Sequence, residues 1–282
     1  SRRAIDSYTR IEKLYSKGKM AKRASLEKGL LYYNMNENEN ALNAFQQVVT
    51  NFPESEEAKT ALESIEVIYT ENNKVDAYSS FLKSVGKEGY LEPAKEDSLT
   101  FVAAERSFMN DGCKASENFE NYLNKYPEGR NKISAHNYLA SCYYENKDYD
   151  KSLEHYELLA SYKGFSNEEE VVARCAEMLY DKKEFTKAYD YFRRLLLITS
   201  DENTKNIGAT GMLRCAYNDN NYEKTVEIAD IILGKGVKDN NLEREAHYKR
   251  MKSFLALNKN ANAVKDMEFL KEDTRLENGS EA

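Results

Sequence analysis

The sequence predicts an all-α protein, a right-handed α–α superhelix in which antiparallel helix pairs stack as a solenoid. Two observations favour this fold class. The 282 residues include 12 Gly and 3 Pro, too few for the many turns of a β sandwich or barrel. In addition, a small residue followed four positions later by a bulky one recurs every 36 to 38 residues along the whole chain.

The repeated small and bulky residues define one helix of each unit. A spacing of four places the two side chains on one helix face, where the small residue permits a close helix crossing and the bulky one fills the groove beside it. The pairs are Ala4/Tyr8, Ala41/Phe45, Ala77/Phe81, Ala115/Phe119, Ser152/Tyr156, Ala188/Phe192, Thr225/Ala229 and Ala263/Met267. Because one helix pair cannot bury its apolar face alone, neighbouring units are expected to stack.

A second set of small or apolar residues, twelve positions earlier, defines the other helix of each unit. Each unit is therefore two helices of about 14 residues, roughly 20 Å long, joined by a tight polar turn. The predicted pairs start near 22, 58, 96, 133, 169, 206 and 244. They follow a half repeat at 1–17, form a single solenoid over 1–275 and precede a polar tail at 276–282. The half repeat favours a natural protein that continues upstream of Ser1.

The best copy of the repeat is GLLYYNMNENENALNAFQQVVTNFP at 29–53, which carries Gly29, Tyr32, Ala41, Phe45 and Pro53 at the positions that define it. This pattern resembles the tetratricopeptide repeat, and two further copies stand at 138–156 and 175–192. The resemblance implies a protein-interaction module. The copies at 96–129 and 206–240 match weakly, and Arg106 stands where an aromatic residue is expected, so irregular structure is expected there.

Composition and motifs argue against catalysis. The net charge of −7, without a basic run, argues against nucleic acid, and no apolar stretch reaches the roughly 18 residues of a membrane span. The sequence has no Gly-rich phosphate loop and no hydrolase or metalloprotease motif. His136 and His247 share one position of the repeat, which explains them structurally. The chain is predicted to be no enzyme, with no cofactor and no metal.

The four cysteines are predicted to be unpaired. Cys113, Cys142, Cys175 and Cys215 are widely separated, without a CxxC motif, and indicate neither a disulfide framework nor a zinc site. Cys142, Cys175 and Cys215 fall within first helices and are expected to be buried thiols. Cys113 falls in a turn and is expected to be the reactive one.

A series of tyrosines supplies the candidate binding site. Eight positions before the small residue stand Tyr33, Tyr69, Tyr144, Tyr180 and Tyr217, which would line the concave face of the stack. Tyrosine suits peptide recognition because its large rigid ring ends in one hydrogen-bonding group. The alternative is that these rings simply pack between adjacent first helices.

Charged residues on the same predicted face lie toward the C-terminal end. Arg214, Tyr217, Tyr248 and Lys252 are candidates to hold an acidic or C-terminal group of a peptide. The early units carry leucines such as Leu26 and Leu62 instead, which argues against the carboxylate clamp of chaperone adaptors.

The predicted function is a non-enzymatic scaffold that binds a protein or peptide partner in this groove. Segments 41–62 and 116–144 resemble the repeats of bacterial envelope proteins such as the Tol-Pal coordinator and the outer-membrane assembly lipoproteins, which favours the periplasm or cell envelope over the cytoplasm. Two alternatives are a recruiting or regulatory module of a larger enzyme encoded upstream, and a structural array that self-assembles through the ends of the solenoid.

Overall fold

The computed structural model describes residues 2–15, 18–234 and 239–272, and these residues form helices and turns without a strand. The predicted all-α fold class is confirmed. The helices are α1 Arg2–Leu14, α2 Lys19–Asn34, α3 Asn38–Asn51, α4 Glu56–Glu71, α5 Val75–Ser84, α6 Pro93–Asp111, α7 Glu117–Lys125, α8 Lys132–Glu145, α9 Tyr149–Ser161, α10 Glu168–Asp181, α11 Phe185–Ile198, α12 Glu202–Asn218, α13 Tyr222–Gly234, α14 Asn240–Ala256 and α15 Asn260–Glu272. Two short 3-10 helices, Glu88–Tyr90 and Gly112–Ala115, interrupt this series.

Internal contacts divide the chain into two compact units, 1–142 and 143–282, where the sequence predicted one solenoid. The first unit contains α1 and the pairs α2/α3, α4/α5 and α6/α7. The second contains α9 and the pairs α10/α11, α12/α13 and α14/α15, and α8 spans the boundary. First helices start at 19, 56, 93, 132, 168, 202 and 240, a few residues before each predicted start. The polar tail at 276–282 lies outside the described residues.

The turn inside most helix pairs has one repeated backbone geometry. A residue with φ between 52° and 63° ends the first helix, and the next backbone N–H bonds back to a carbonyl five residues earlier, as in a Schellman motif. In the α2/α3 turn, Glu37 N–H bonds to Tyr32 O at 2.9 Å. The left-handed residues are Asn36, Asn73, Lys147, Lys183, Asn220 and Asn258.

This turn shows that the register of α4/α5 differs by one residue from the predicted one. The left-handed residue lies five positions before Ala41, Ser152, Ala188, Thr225 and Ala263, but Asn73 lies four positions before Ala77. Ala77 is consequently exposed, and Tyr78 and Leu82 occupy the core in place of the predicted Ala77/Phe81 pair.

The two ends of the chain also depart from the predicted pairs. In α1 Ala4 is exposed and Ile5 is the buried residue. In α15 Met267 is half exposed, whereas Asp266 is buried. Asp266 accepts hydrogen bonds from Arg250 Nε at 3.0 Å and Nη2 at 2.6 Å, and it lies 2.6 Å from His247 Nδ1, so its buried charge is neutralised.

Close helix crossings explain the small residues of the repeat. Ala41, Ser152, Ala188, Thr225 and Ala263 are fully buried. A Cβ atom built on Gly29 would lie 2.4 Å from the Phe45 ring, and one on Gly211 would lie 2.3 Å from the Phe192 ring. The absent side chain therefore leaves the space that the aromatic ring of the neighbouring helix fills.

The prediction that all cysteines are unpaired is wrong for two of them. Cys113 and Cys142 form a disulfide with their Cα atoms 5.2 Å apart. Cys113 lies in the 3-10 helix Gly112–Ala115 between α6 and α7, and Cys142 lies in α8. The irregular structure expected at Arg106 is not seen there, because Arg106 lies within the regular helix α6. Cys175 and Cys215 are free and buried, as predicted. Burial raises the pKa of each of these thiols to about 12.

Neither a membrane helix nor a metal centre occurs in the described part of the chain. None of its helices combines the length and the apolar character needed to cross a bilayer. No group of three or more His, Cys, Asp and Glu side chains there could hold a metal ion.

Candidate partner-binding groove

An open cavity of about 880 Å³ lies in the second unit and is lined mainly by α10 and α12. From α10 come Glu177, Met178, Tyr180 and Asp181, followed by Lys182. From α12 come Asn203, Asn206, Ile207, Thr210, Gly211 and Arg214. Steps of three and four residues place each of these sets on one helix face. Tyr144, Tyr149, Phe192 and Asp239 complete the lining.

The floor of this groove is apolar and closely packed. Met178 is buried, and Phe192 fills the space beside Gly211. Ile207, by contrast, is 50% exposed although its side chain is aliphatic. The groove thus exposes an aliphatic side chain to solvent above a buried, closely packed base.

The tyrosines of the second unit are held by aromatic neighbours. The rings of Tyr144, Tyr180 and Tyr217 each contact, nearly edge-on, the aromatic residue five positions later at the start of the second helix. The pairs are Tyr144–Tyr149 with ring centroids 5.5 Å apart, Tyr180–Phe185 at 5.5 Å and Tyr217–Tyr222 at 6.2 Å. These half-buried rings pack within their own helix pair, so part of their role is structural.

Residues of the next helix pair along the chain also contact each of these three tyrosines. Arg174 lies 4.7 Å from the centre of the Tyr144 ring, and Lys249 lies 4.3 Å from the centre of the Tyr217 ring. Burial lowers the pKa of Lys249 and raises that of Tyr217. The Tyr180 hydroxyl accepts a hydrogen bond from Asn218 Nδ2 at 2.8 Å. These three tyrosine side chains are therefore held in place by the protein's own contacts before any partner binds.

Tyr33 and Tyr69 belong to the first unit and are not among the residues that line this cavity. The Tyr33 hydroxyl donates to Glu71 at 3.0 Å, and burial together with Glu71 raises its pKa. The turn geometry places Tyr69 at the position of Tyr32 rather than of Tyr33, because Lys74 N–H bonds to Tyr69 O at 2.8 Å. Its hydroxyl accepts from Gln46 at 3.2 Å, and its ring lies 6.1 Å from that of Tyr78.

Of the eight predicted binding residues, Tyr144, Tyr180 and Arg214 line the cavity. Arg214 is already engaged, because its Nε and Nη2 both donate to Glu245 at 2.7 Å. This pairing raises the pKa of Arg214. Tyr217, Tyr248 and Lys252 lie outside the cavity lining, although Tyr248 is 48% exposed.

Three further residues of the cavity lining, Tyr149, Asp181 and Ile207, were not predicted from the sequence. The predicted tyrosine series lies on the first helices, and none of these three residues belongs to that series. The signal available was the spacing of Asn203, Ile207 and Gly211 on one face of α12, with an exposed aliphatic residue at its centre.

Comparison with known sequences gives one family match. Residues 23–55 match the tetratricopeptide repeat. This tetratricopeptide-repeat segment covers most of α2 and α3, including the contact of Gly29 with Phe45. Together with the repeated helix pairs, the match supports a tetratricopeptide-repeat fold. No curated protein matches the sequence.

Solved structures with tetratricopeptide repeats show weak likenesses, all with TM-scores below 0.5. PilF of Pseudomonas aeruginosa is 16% identical over 92% of this chain and 93% of that chain, with a TM-score of 0.36. The C-terminal part of a repeat protein from Cytophaga hutchinsonii is 13% identical over 91% and 100%, with a TM-score of 0.40. A repeat protein from Parabacteroides merdae is 14% identical over 88% and 78%, with a TM-score of 0.33.

Proposed function

We propose that the protein is a non-enzymatic scaffold for protein–protein interactions and that the groove of its second unit binds an extended segment of the partner. The repeat match supports the scaffold. The half-exposed Ile207 in the lining of the cavity is the observation that carries the groove assignment. A volume of about 880 Å³ lies within the usual range for ligand sites and accommodates several side chains of a peptide.

The chemistry of the groove suits an extended main chain. The side-chain amides of Asn203 and Asn206, which both donate and accept hydrogen bonds, line the cavity one turn or less from Ile207. Aromatic walls at Tyr144 and Tyr180 are fixed by their own contacts, so little entropy is lost when a peptide docks. An apolar side chain of the partner would contact Ile207, and its peptide groups would bond to the amides.

The test compares two isoleucines of equal exposure. The wild-type protein is used to select binders from a displayed library of random 12-residue peptides, and the affinities of the selected peptides are measured by fluorescence anisotropy. Ile207→Asn should weaken binding by about tenfold, since it removes about 1.5 kcal/mol of apolar contact. The matched control is Ile231→Asn. Ile231 lies on α13, is 51% exposed and is not part of the cavity lining.

Two results would contradict the groove assignment. One is equal binding by the Ile207→Asn variant and the wild type. The other is a selection that yields no binder. Circular dichroism of both variants should match the wild type, because neither side chain is buried.

The disulfide supports a proposal about compartment. A bond between Cys113 and Cys142 persists in oxidising surroundings such as the bacterial periplasm and is rare in the cytosol. This agrees with the proposed role in organising complexes of the bacterial cell envelope. A reduced pair of thiols at these two positions, trapped by alkylation under denaturing conditions in cells of the native host, would contradict that compartment.

A further inference from the structure

One corner of the groove, where α10 ends, combines a carboxylate with an exposed aromatic ring. Lys182 Nζ lies 2.6 Å from Asp150 Oδ1, and this ion pair holds the end of α10 beside the start of α9. Asp181 and Tyr149 are the sequence neighbours of that pair, and both line the cavity. We call Tyr149 and Asp181 the acidic corner.

The cations of the groove are already neutralised. Arg214 forms its two-point contact with Glu245, and Lys182 is paired with Asp150. Asp181 is exposed and forms no ion pair with any cation of the described ranges 2–15, 18–234 and 239–272. The charge left for a ligand is therefore negative, in contrast to the basic site that the sequence predicted around Arg214.

Three features of the acidic corner favour a bound cation. The Asp181 carboxylate supplies an opposite charge in a partly enclosed site, where screening by water is reduced. The Tyr149 ring is 47% exposed and offers a face for a cation–π contact. Asp181 is also the last residue of α10, and the C-terminal end of a helix carries partial negative charge.

We propose that the groove binds an extended peptide segment that carries a lysine or arginine, whose cationic group docks between Tyr149 and Asp181. An aliphatic side chain of the same segment contacts Ile207. The inference rests on the proposed function, since it names the class of peptide that the same groove takes.

The first arm of the experiment measures the composition of bound peptides. Peptides selected from a random 12-residue library by the wild-type protein should be enriched in Lys and Arg over Asp and Glu, relative to the unselected library. In one selected peptide, replacement of the basic residue by Glu should weaken binding about fivefold or more, because an attraction to the Asp181 carboxylate is replaced by a repulsion.

The second arm changes the carboxylate itself. Asp181→Lys should weaken binding of the basic peptide about fivefold or more and improve binding of its Glu counterpart. Asp190→Lys makes the same charge change at an exposed residue of α11 outside the cavity lining and should leave both affinities within about twofold, because water and salt screen an exposed charge that does not touch the peptide. Lys at the end of a helix is favourable, so Asp181→Lys is expected to fold.

The outcomes separate this inference from the proposed function. Suppose that the selected peptides bind the Ile207→Asn variant more weakly, but are not enriched in Lys and Arg and bind the Asp181→Lys variant as well as the wild type. This result would overturn the role of the acidic corner and would leave the groove assignment intact. Equal effects of Asp181→Lys and Asp190→Lys would also overturn it. A selection without binders, or binders indifferent to Ile207→Asn, would overturn both.

Discussion

At the scale of single residues, the repeat in the sequence identifies close contacts correctly but not their polar partners. The pattern predicted that Gly29, Ala41 and Phe45 belong to one crossing, because steric fit needs only the spacing of residues on a helix. It did not predict that Glu71 holds the Tyr33 hydroxyl or that Asn218 holds Tyr180. Those partners belong to the following helix pair. Whether they reach the tyrosine depends on how that pair is rotated relative to the preceding one, and the spacing of residues along the sequence does not determine this rotation.

Gly29→Ala tests the contact with Phe45. Alanine favours a helix over glycine by about 0.5–1 kcal/mol, but its Cβ would overlap a fully buried ring at 2.4 Å. We expect the overlap to dominate and the free energy of unfolding to fall by about 1–3 kcal/mol. Urea unfolding followed by circular dichroism measures this change.

Gly89→Ala is the control for that substitution. A Cβ atom at Gly89 meets nothing within 4 Å, so the stability of this variant should remain close to that of the wild type. If Gly29→Ala were as stable as Gly89→Ala, the crossing of α2 and α3 would be looser than described.

At the scale of helices and turns, the position of the residue with positive φ determines which side chains of the second helix are buried. The sequence predicted the turn inside each pair from its polar residues, and the turn places the buried side chains of the helix that follows. In α5 this brings Tyr78 and Leu82 into the core rather than Ala77 and Phe81. The spacing of residues in the sequence could not reveal this shift, because the pairs Ala77/Phe81 and Tyr78/Leu82 both contain an aromatic residue and are both spaced by four.

Lys183→Gly tests the strain of this turn. Lys183 has φ of 62°, a conformation that costs a side chain with a Cβ about 1–2 kcal/mol, whereas glycine adds an entropic cost of about 0.5–1 kcal/mol. We therefore expect a net stabilisation of roughly 0.5 kcal/mol, seen as a small rise in the melting temperature. Asn220→Gly should gain less, because asparagine tolerates φ near its 56° better than lysine does. A lower melting temperature for Lys183→Gly would contradict this account.

At the scale of the whole molecule, first helices start a few residues before the predicted positions, whereas the sequence did not predict the disulfide. Periodicity indicates which helices pair along the chain, but it does not indicate where the chain divides into compact units. The disulfide joins residues 29 positions apart, and nothing in that spacing distinguishes a bonded pair from two unpaired cysteines.

Reduction of the disulfide should destabilise the first unit alone. Closing a loop of this length stabilises the folded state by about 3–4 kcal/mol in the chain-entropy description. Hydrogen exchange measured by mass spectrometry, with and without a phosphine reductant, should show faster exchange of the amides of α6, α7 and α8. Amides of α11, α12 and α13 serve as the internal reference. Cys113→Ser with Cys142→Ser should reproduce the effect without reductant, and equal loss of protection in both units would contradict it.

The same covalent link changes how the chain responds to a mechanical load. A protein pulled from its two ends unravels along its backbone, and the segment between Cys113 and Cys142 is bypassed by the sulfur–sulfur connection. With 29 residue steps of about 3.3–3.6 Å each, roughly 100 Å of contour length is withheld from extension. Under tension, the stretch that contains α7 and most of α8 would remain a closed ring within the extended chain.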